Sequence, residues 1–212
     1  MKLAALFLGT AAARFLAGLF AVKQPQFFID ELVYWSFARA FHEGAPLTLY
    51  GRALDHPVYT YPLLLSPAFS LDSSIAAFVA IQALNSLMQA TVVFFAYLLA
   101  RELLDERPAL LVALLSALLP TGVLTSVLMA ENAFLPLATL AFWLLYRTLR
   151  DGRAREGALA AAVLAVAYFT KPHALMLLAG FGVAVLAGWV RSRNARSLAA
   201  RALPFASLAL VA

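Results

Sequence analysis

Asp30 and Glu31 stand side by side just beyond the first of several long apolar stretches. Carboxylates are costly near hydrocarbon, so a pair kept there is a candidate for chemistry on a lipid-linked substrate. Glu131 supplies a third carboxylate at the head of a later apolar stretch, in Met129-Ala130-Glu131-Asn132. Two carboxylates from separate elements, facing one cavity, suit acid–base or donor-binding work. Asp55-His56-Pro57 precedes Val58-Tyr59-Thr60-Tyr61-Pro62. The faces and hydroxyls of Tyr59 and Tyr61 suit a carbohydrate. Lys171 and His173 flank Pro172 inside an apolar run, and a lysine there is a point charge for a lipid phosphate.

Each residue also has a plainer reading. Asp30 is a favoured helix N-cap, and Glu31 and Glu131 suit the positive end of a helix dipole. Asp55, His56 and Pro57 fit a proline-shaped surface turn. Lys171 could snorkel to headgroups. Arg14 is either a paired structural charge or the lining of a polar cavity.

The elements that must position these residues are set by a greasy composition. Of 212 residues, 64% are hydrophobic and 13% are charged, about half the usual charged fraction of a soluble domain. Apolar stretches of about 20 residues recur, each long enough to cross a bilayer. We expect spans at about 3–22, 75–99, 108–129, 132–149, 158–170, 174–190 and 202–212, with a loop at 23–74. The fold class is all-α: a polytopic transmembrane helix bundle forming a single domain over 1–212, the N-terminal part of a larger one.

The run from Ala158 to Val190 is too long for one ordinary span, and Lys171-Pro172 splits it. A tight hairpin results, its tip buried in protein where irregular backbone is tolerated. Gly180, Ala184 and Gly188 repeat at the small-residue spacing of closely packed helices. In the long loop, Asp30 to Gly44 reads as an amphipathic helix. Val33, Phe37, Ala40 and Phe41 share one side, with Gly44 as the stop. Tyr34 and Trp35 suit the headgroup layer, so the helix lies along the outer surface.

The formal charge of +5 is placed for membrane topology and not for nucleic acid. Lys2, Arg101, Arg107, Arg147, Arg150, Arg153, Arg155, Arg191, Arg193, Arg196 and Arg201 fall on one side. Lys23, Arg39, Arg52 and Lys171 fall on the other, with Arg14 inside the first span. The bias puts the N-terminus in the cytoplasm and the 23–74 loop outside a multi-pass plasma-membrane protein. Cysteine is absent, which excludes disulfides, thiolate metal sites and thiol nucleophiles. Histidine occurs only at 42, 56 and 173, too scattered for a zinc signature. No metal ligand or cofactor is assigned, and a divalent cation is left open.

Several segments together resemble a known family. Asp30-Glu31-Leu32-Val33-Tyr34 with Ala38-Arg39-Ala40-Phe41-His42-Glu43-Gly44 resembles the first outer loop of bacterial GT-C glycosyltransferases. Tyr61-Pro62-Leu63-Leu64-Leu65-Ser66-Pro67 is similar to the proline-rich motif that closes that loop. Gln82-Ala83-Leu84-Asn85, Ala130-Glu131-Asn132 and Thr170-Lys171-Pro172-His173 resemble later elements in the same order. The nearest branch is that of protein mannosyltransferases and aminoarabinose transferases. Ala130 stands where threonine is frequent, and His173 departs from the pattern.

The resemblance implies transfer of a sugar, with inversion, from a polyprenyl-phosphate donor. The acceptor would be a lipid, glycan or protein on the outer membrane face, with membrane lipids as the surrounding partner. It implies Asp30 as general base beside Glu31, Glu131 shaping the site and Lys171 holding the donor phosphate. Asp55, His56, Tyr59, Tyr61 and His173 join them as substrate-binding candidates. The competing readings are a polytopic transporter and a non-catalytic scaffold of the same fold. A long loop after the first span favours the enzyme over the transporter.

Overall fold

Apolar helices account for most of the computed structural model, which describes residues 2–26, 28–53, 58–192 and 201–211. The chain runs through α1 (Lys2–Ala21), α2 (Ile29–Glu43), a hairpin of β1 (Thr48–Leu49) and β2 (Arg52–Ala53), and α3 (Thr60–Leu65). It continues through α4 (Ser74–Ala90), α5 (Val92–Arg101), α6 (Glu106–Ala117) and α7 (Glu131–Asp151). Then come α8 (Ala154–Thr170), α9 (Ala174–Ser192) and α10 (Ser207–Val211). The two short strands pair antiparallel across Tyr50-Gly51, both at positive φ. Among the described residues the fold is all-α apart from this ribbon.

Lys2–Ala21 and the nearly continuous Ser74–Arg101 are each long and apolar enough to cross a membrane. The bent pair Glu106–Ala117 and Pro120–Ser126 makes a third if it is one span. The span expected at 108–129 is therefore bent and not one continuous helix. Pro120 lacks an amide hydrogen and holds Leu119 extended, so α6 stops and a 3-10 turn leaves it at 48°. The 75–99 span also breaks at Thr91, whose hydroxyl donates to the Met88 carbonyl at 2.6 Å.

Irregular backbone at this depth needs partners, and α4 provides them. Gln82, Asn85 and Gln89 lie three and four residues apart on one face and are fully buried. Gln82 Nε2 donates to Val22 O at 2.9 Å and Ser126 O at 3.1 Å. Asn85 Nδ2 donates to Val127 O at 2.9 Å, and Gln89 Nε2 to Thr121 O at 2.8 Å. Asn132 Nδ2 takes Leu124 O at 2.8 Å, and Arg14 Nη2 takes Ala117 O at 2.9 Å. Arg14 is thus a buried structural charge that closes the end of α6. It packs over Gly122, where a Cβ would stand 3.0 Å from its Nε.

Two apolar cores flank this polar seam. The first joins Val33, Tyr34 and Phe37 of α2 to Tyr61 and Leu65 of α3, Phe78 and Ile81 of α4, and Leu128. The second joins Leu144 and Leu145 of α7, Leu164 of α8, and Leu178 and Phe181 of α9. The expected close packing at Gly180 and Ala184 does not occur. Both border a groove of about 260 Å³ between α7 and α9, kept open by Phe142, Tyr146 and Phe181.

The helix of the first loop starts at Ile29 and ends where Gly44 turns left-handed, at φ 65°. Asp30 does not cap it. Phe28 is the N-cap residue and provides no side-chain bond, so Asp30 falls in the first turn. α2 is the amphipathic surface helix expected: its Tyr34 and Phe37 stripe is sunk in the first core, and Asp30, Arg39, His42 and Glu43 are exposed.

Candidate active site

Three elements converge at the end of the bundle where α7 begins. α2 brings Asp30 and Glu31, α7 opens with Glu131, and the α8–α9 break brings Lys171. The break has a local cause. Pro172 disfavours helical geometry at the residue before it, and Lys171 is extended at φ −158° and ψ 123°. The Lys171 amide still closes α8 by donating to Ala167 O at 2.8 Å.

Asp30 and Glu31 are neighbours with different surroundings, because one residue on a helix turns the side chain by about 100°. Asp30 continues the line of Tyr34, Phe37 and Phe41, which packs into the core, yet is itself exposed. Glu31 is 1% exposed, and its Oε1 accepts from the Leu128 amide at 3.0 Å. Glu31 thereby fixes α2 to the strand-like segment that leads into α7.

Glu131 and Lys171 form an ion pair, each side chain about a quarter exposed. Tyr34 feels carboxylates from both helices. Burial, then the charges of Asp30 and Glu131, hold its phenol well above the ordinary tyrosine range. Asp30 and Glu131 thus both act on the Tyr34 phenol, and Lys171 joins them through its pair with Glu131.

The other candidates divide. Tyr59 stacks on Phe169 with ring centroids 6.2 Å apart, just before Lys171 in α8. The Thr60 hydroxyl ties the same turn to Val166 O at 3.4 Å. Tyr61 is not on an open surface. It is fully buried, its hydroxyl donates to Asn85 Oδ1 at 2.9 Å, and its ring meets Tyr34 edge-on at 5.1 Å. His173 is exposed beyond Pro172, and its carbonyl accepts from the Met176 amide at 3.0 Å. Asp55 and His56 lie outside the described residues.

Tyr34 and Asn132 adjoin the candidate residues, and sequence reasoning passed over them as candidates. Tyr34 sits one turn after Asp30, a spacing that could have found it. Asn132 follows Glu131 directly, and its side chain lies beside the Tyr61 hydroxyl. Among the described residues, no group of three histidine, aspartate or glutamate side chains could hold a metal ion.

At the far end of α7, about 30 Å away, the charges are arranged differently. Glu102 accepts from Trp143 Nε1 at 2.8 Å and pairs with Arg150, while Arg147 reaches Glu156 at 3.3 Å. One end of α7 carries a network of arginines paired with carboxylates, and the other carries the Glu131–Lys171 pair.

No curated protein and no solved structure matches the chain. Residues 55–212, however, match the dolichyl-phosphate-mannose-protein mannosyltransferase family, a stretch that contains Glu131 and Lys171 and begins after α2. With apolar helices, a carboxylate–lysine site at one end and a family match over most of its length, the chain belongs to the dolichyl-phosphate-mannose-protein mannosyltransferase family of GT-C membrane glycosyltransferases.

Proposed function

We propose that this chain transfers a sugar from a polyprenyl-phosphate donor to an acceptor hydroxyl on the outer membrane face, with inversion. The observation that carries this reading is the setting of Asp30. It is the exposed head of a packed stripe, one turn before Tyr34, whose phenol feels the charges of both Asp30 and Glu131, the partner of Lys171. Asp30 takes the acceptor proton as the acceptor oxygen bonds the anomeric carbon. The bond from that carbon to the phosphate oxygen breaks on the opposite side, and the freed charge meets Lys171.

Glu131 keeps Lys171 in place before the donor arrives, and the donor phosphate then competes for the same ammonium. Glu31 positions Asp30 through the Leu128 amide. Tyr59 and Phe169 offer an aromatic wall next to Lys171. The concentration of arginine at the far end of α7 supports a cytoplasmic N-terminus and a site facing outside the plasma membrane.

A transporter would use a broken helix to expose carbonyls to a solute. Here the Pro120–Ser126 break has its carbonyls taken by Gln82, Gln89 and Asn132, which favours the enzyme. The test is a transfer assay on the full protein in proteoliposomes with a panel of polyprenyl-phosphate sugars. Asp30→Asn should lower kcat by about 100-fold or more while the protein still folds. Undiminished turnover in that variant would remove Asp30 as the base. No transfer from any donor by the native protein would favour the scaffold reading.

A further inference from the structure

A second polar cleft lies on the other flank of α2. Trp35, Arg39 and Glu43 are spaced by four residues and form a line opposite the Asp30, Tyr34 and Phe37 stripe. Facing them are Phe69, from the 3-10 turn Ser66–Ser70, and Asp72-Ser73 at the entry to α4. The cleft encloses about 180 Å³. That is below the roughly 300 Å³ at which pockets for drug-sized ligands begin.

Its chemistry is specific. Trp35 and Phe69 pack edge to face at 4.8 Å and build a rigid aromatic wall. Arg39 Nε donates to Glu43 Oε1 at 2.7 Å, which leaves its terminal nitrogens as donors. The Ser73 hydroxyl accepts from the Ala76 amide at 3.0 Å, so its own hydrogen remains to be given. The exposed carboxylate of Asp72 is an acceptor. One cation stands against two carboxylates, so a phosphate or sulfate is disfavoured by charge. An apolar ligand would desolvate these groups without return.

The geometry points to a carbohydrate-binding site in this cleft, taking a neutral sugar ring of a glycan: the C–H face of the ring lies on Trp35, and its hydroxyls bond Asp72, Arg39 and Ser73. It lies across α2 from Asp30, so the ring it holds is not the one being transferred. Resting on the transfer reading proposed above, the cleft holds an acceptor or product glycan while a different part of it reacts.

Saturation-transfer NMR on the full protein in nanodiscs, with mannobiose and galactobiose as probes, tests this. Saturable binding of at least one disaccharide is expected, with the strongest transfer to ring C–H protons. Trp35→Phe, which keeps the contact with Phe69, and Asp72→Asn should each weaken binding about ten-fold, the effect of losing one good contact. Asp30→Asn should leave this binding unchanged, which separates the cleft from the transfer site. Asp72 is exposed, so its variant folds whatever becomes of Trp35. No saturable binding of either disaccharide, or equal affinity in native protein and Asp72→Asn, overturns the site.

Discussion

Asp30 and Glu31 differ by one position and by everything that surrounds them. Glu31 is buried against a backbone amide, and Asp30 is open at the end of a packed stripe. A buried carboxylate with a fixed partner holds elements together, whereas an exposed one beside a second carboxylate can accept a proton. The same contrast governs Lys171, which is held by Glu131 and only partly screened from water. If Lys171 meets the donor phosphate, Lys171→Ala should raise the donor KM about ten-fold or more, as the loss of a charge-assisted contact requires. Steady-state kinetics over a donor series measure this. An unchanged donor KM would leave Lys171 as a partner of Glu131 alone.

The decisive element is the broken helix that follows α6. Pro120 ends the α-helical ladder, and the carbonyls it frees are collected by side chains from α1, α4 and α7. These bonds set where Leu128 lies, and through it where Glu31 holds α2. Gln82→Leu keeps the volume but orphans the carbonyls of Val22 and Ser126. It should lower stability by about 1–3 kcal/mol for each group left unpaired in the apolar interior. A thermal-shift measurement in detergent reads the loss. A melting point equal to that of the native protein would show that water or lipid replaces the amide.

On the scale of the whole molecule, α7 separates two charge regimes. Arg147 and Arg150 interlock with Glu102, Asp151 and Glu156 at one end, and Glu131 pairs with Lys171 at the other. If the arginine end is cytoplasmic, the hairpin of β1 and β2 faces outward with its tip residue Tyr50, which is 84% exposed. The chain lacks cysteine, so Tyr50→Cys creates a unique label site. In intact cells it should react with a membrane-impermeant maleimide. Labelling only after lysis would invert the topology.

The helical class, the break at Lys171-Pro172 and the stop at Gly44 were legible in the sequence, since each follows from local rules. A run of apolar residues must be helical in lipid, proline restricts the residue before it, and glycine alone turns left-handed without strain. The carboxylates and the lysine were legible as costly residues in a greasy chain. What tertiary structure decided was which of them is buried, which is paired and which is open. Asp30 was expected to cap α2, and it does not; Tyr61 was expected at a sugar, and it is core. The bend after α6 depends on Gln82, Asn85 and Asn132, polar residues whose purpose no single segment displays. Local rules fix an element from its own residues. Which side chain stays open to substrate depends on what other elements cover, and that is settled only when α2, α7 and the α8–α9 break meet.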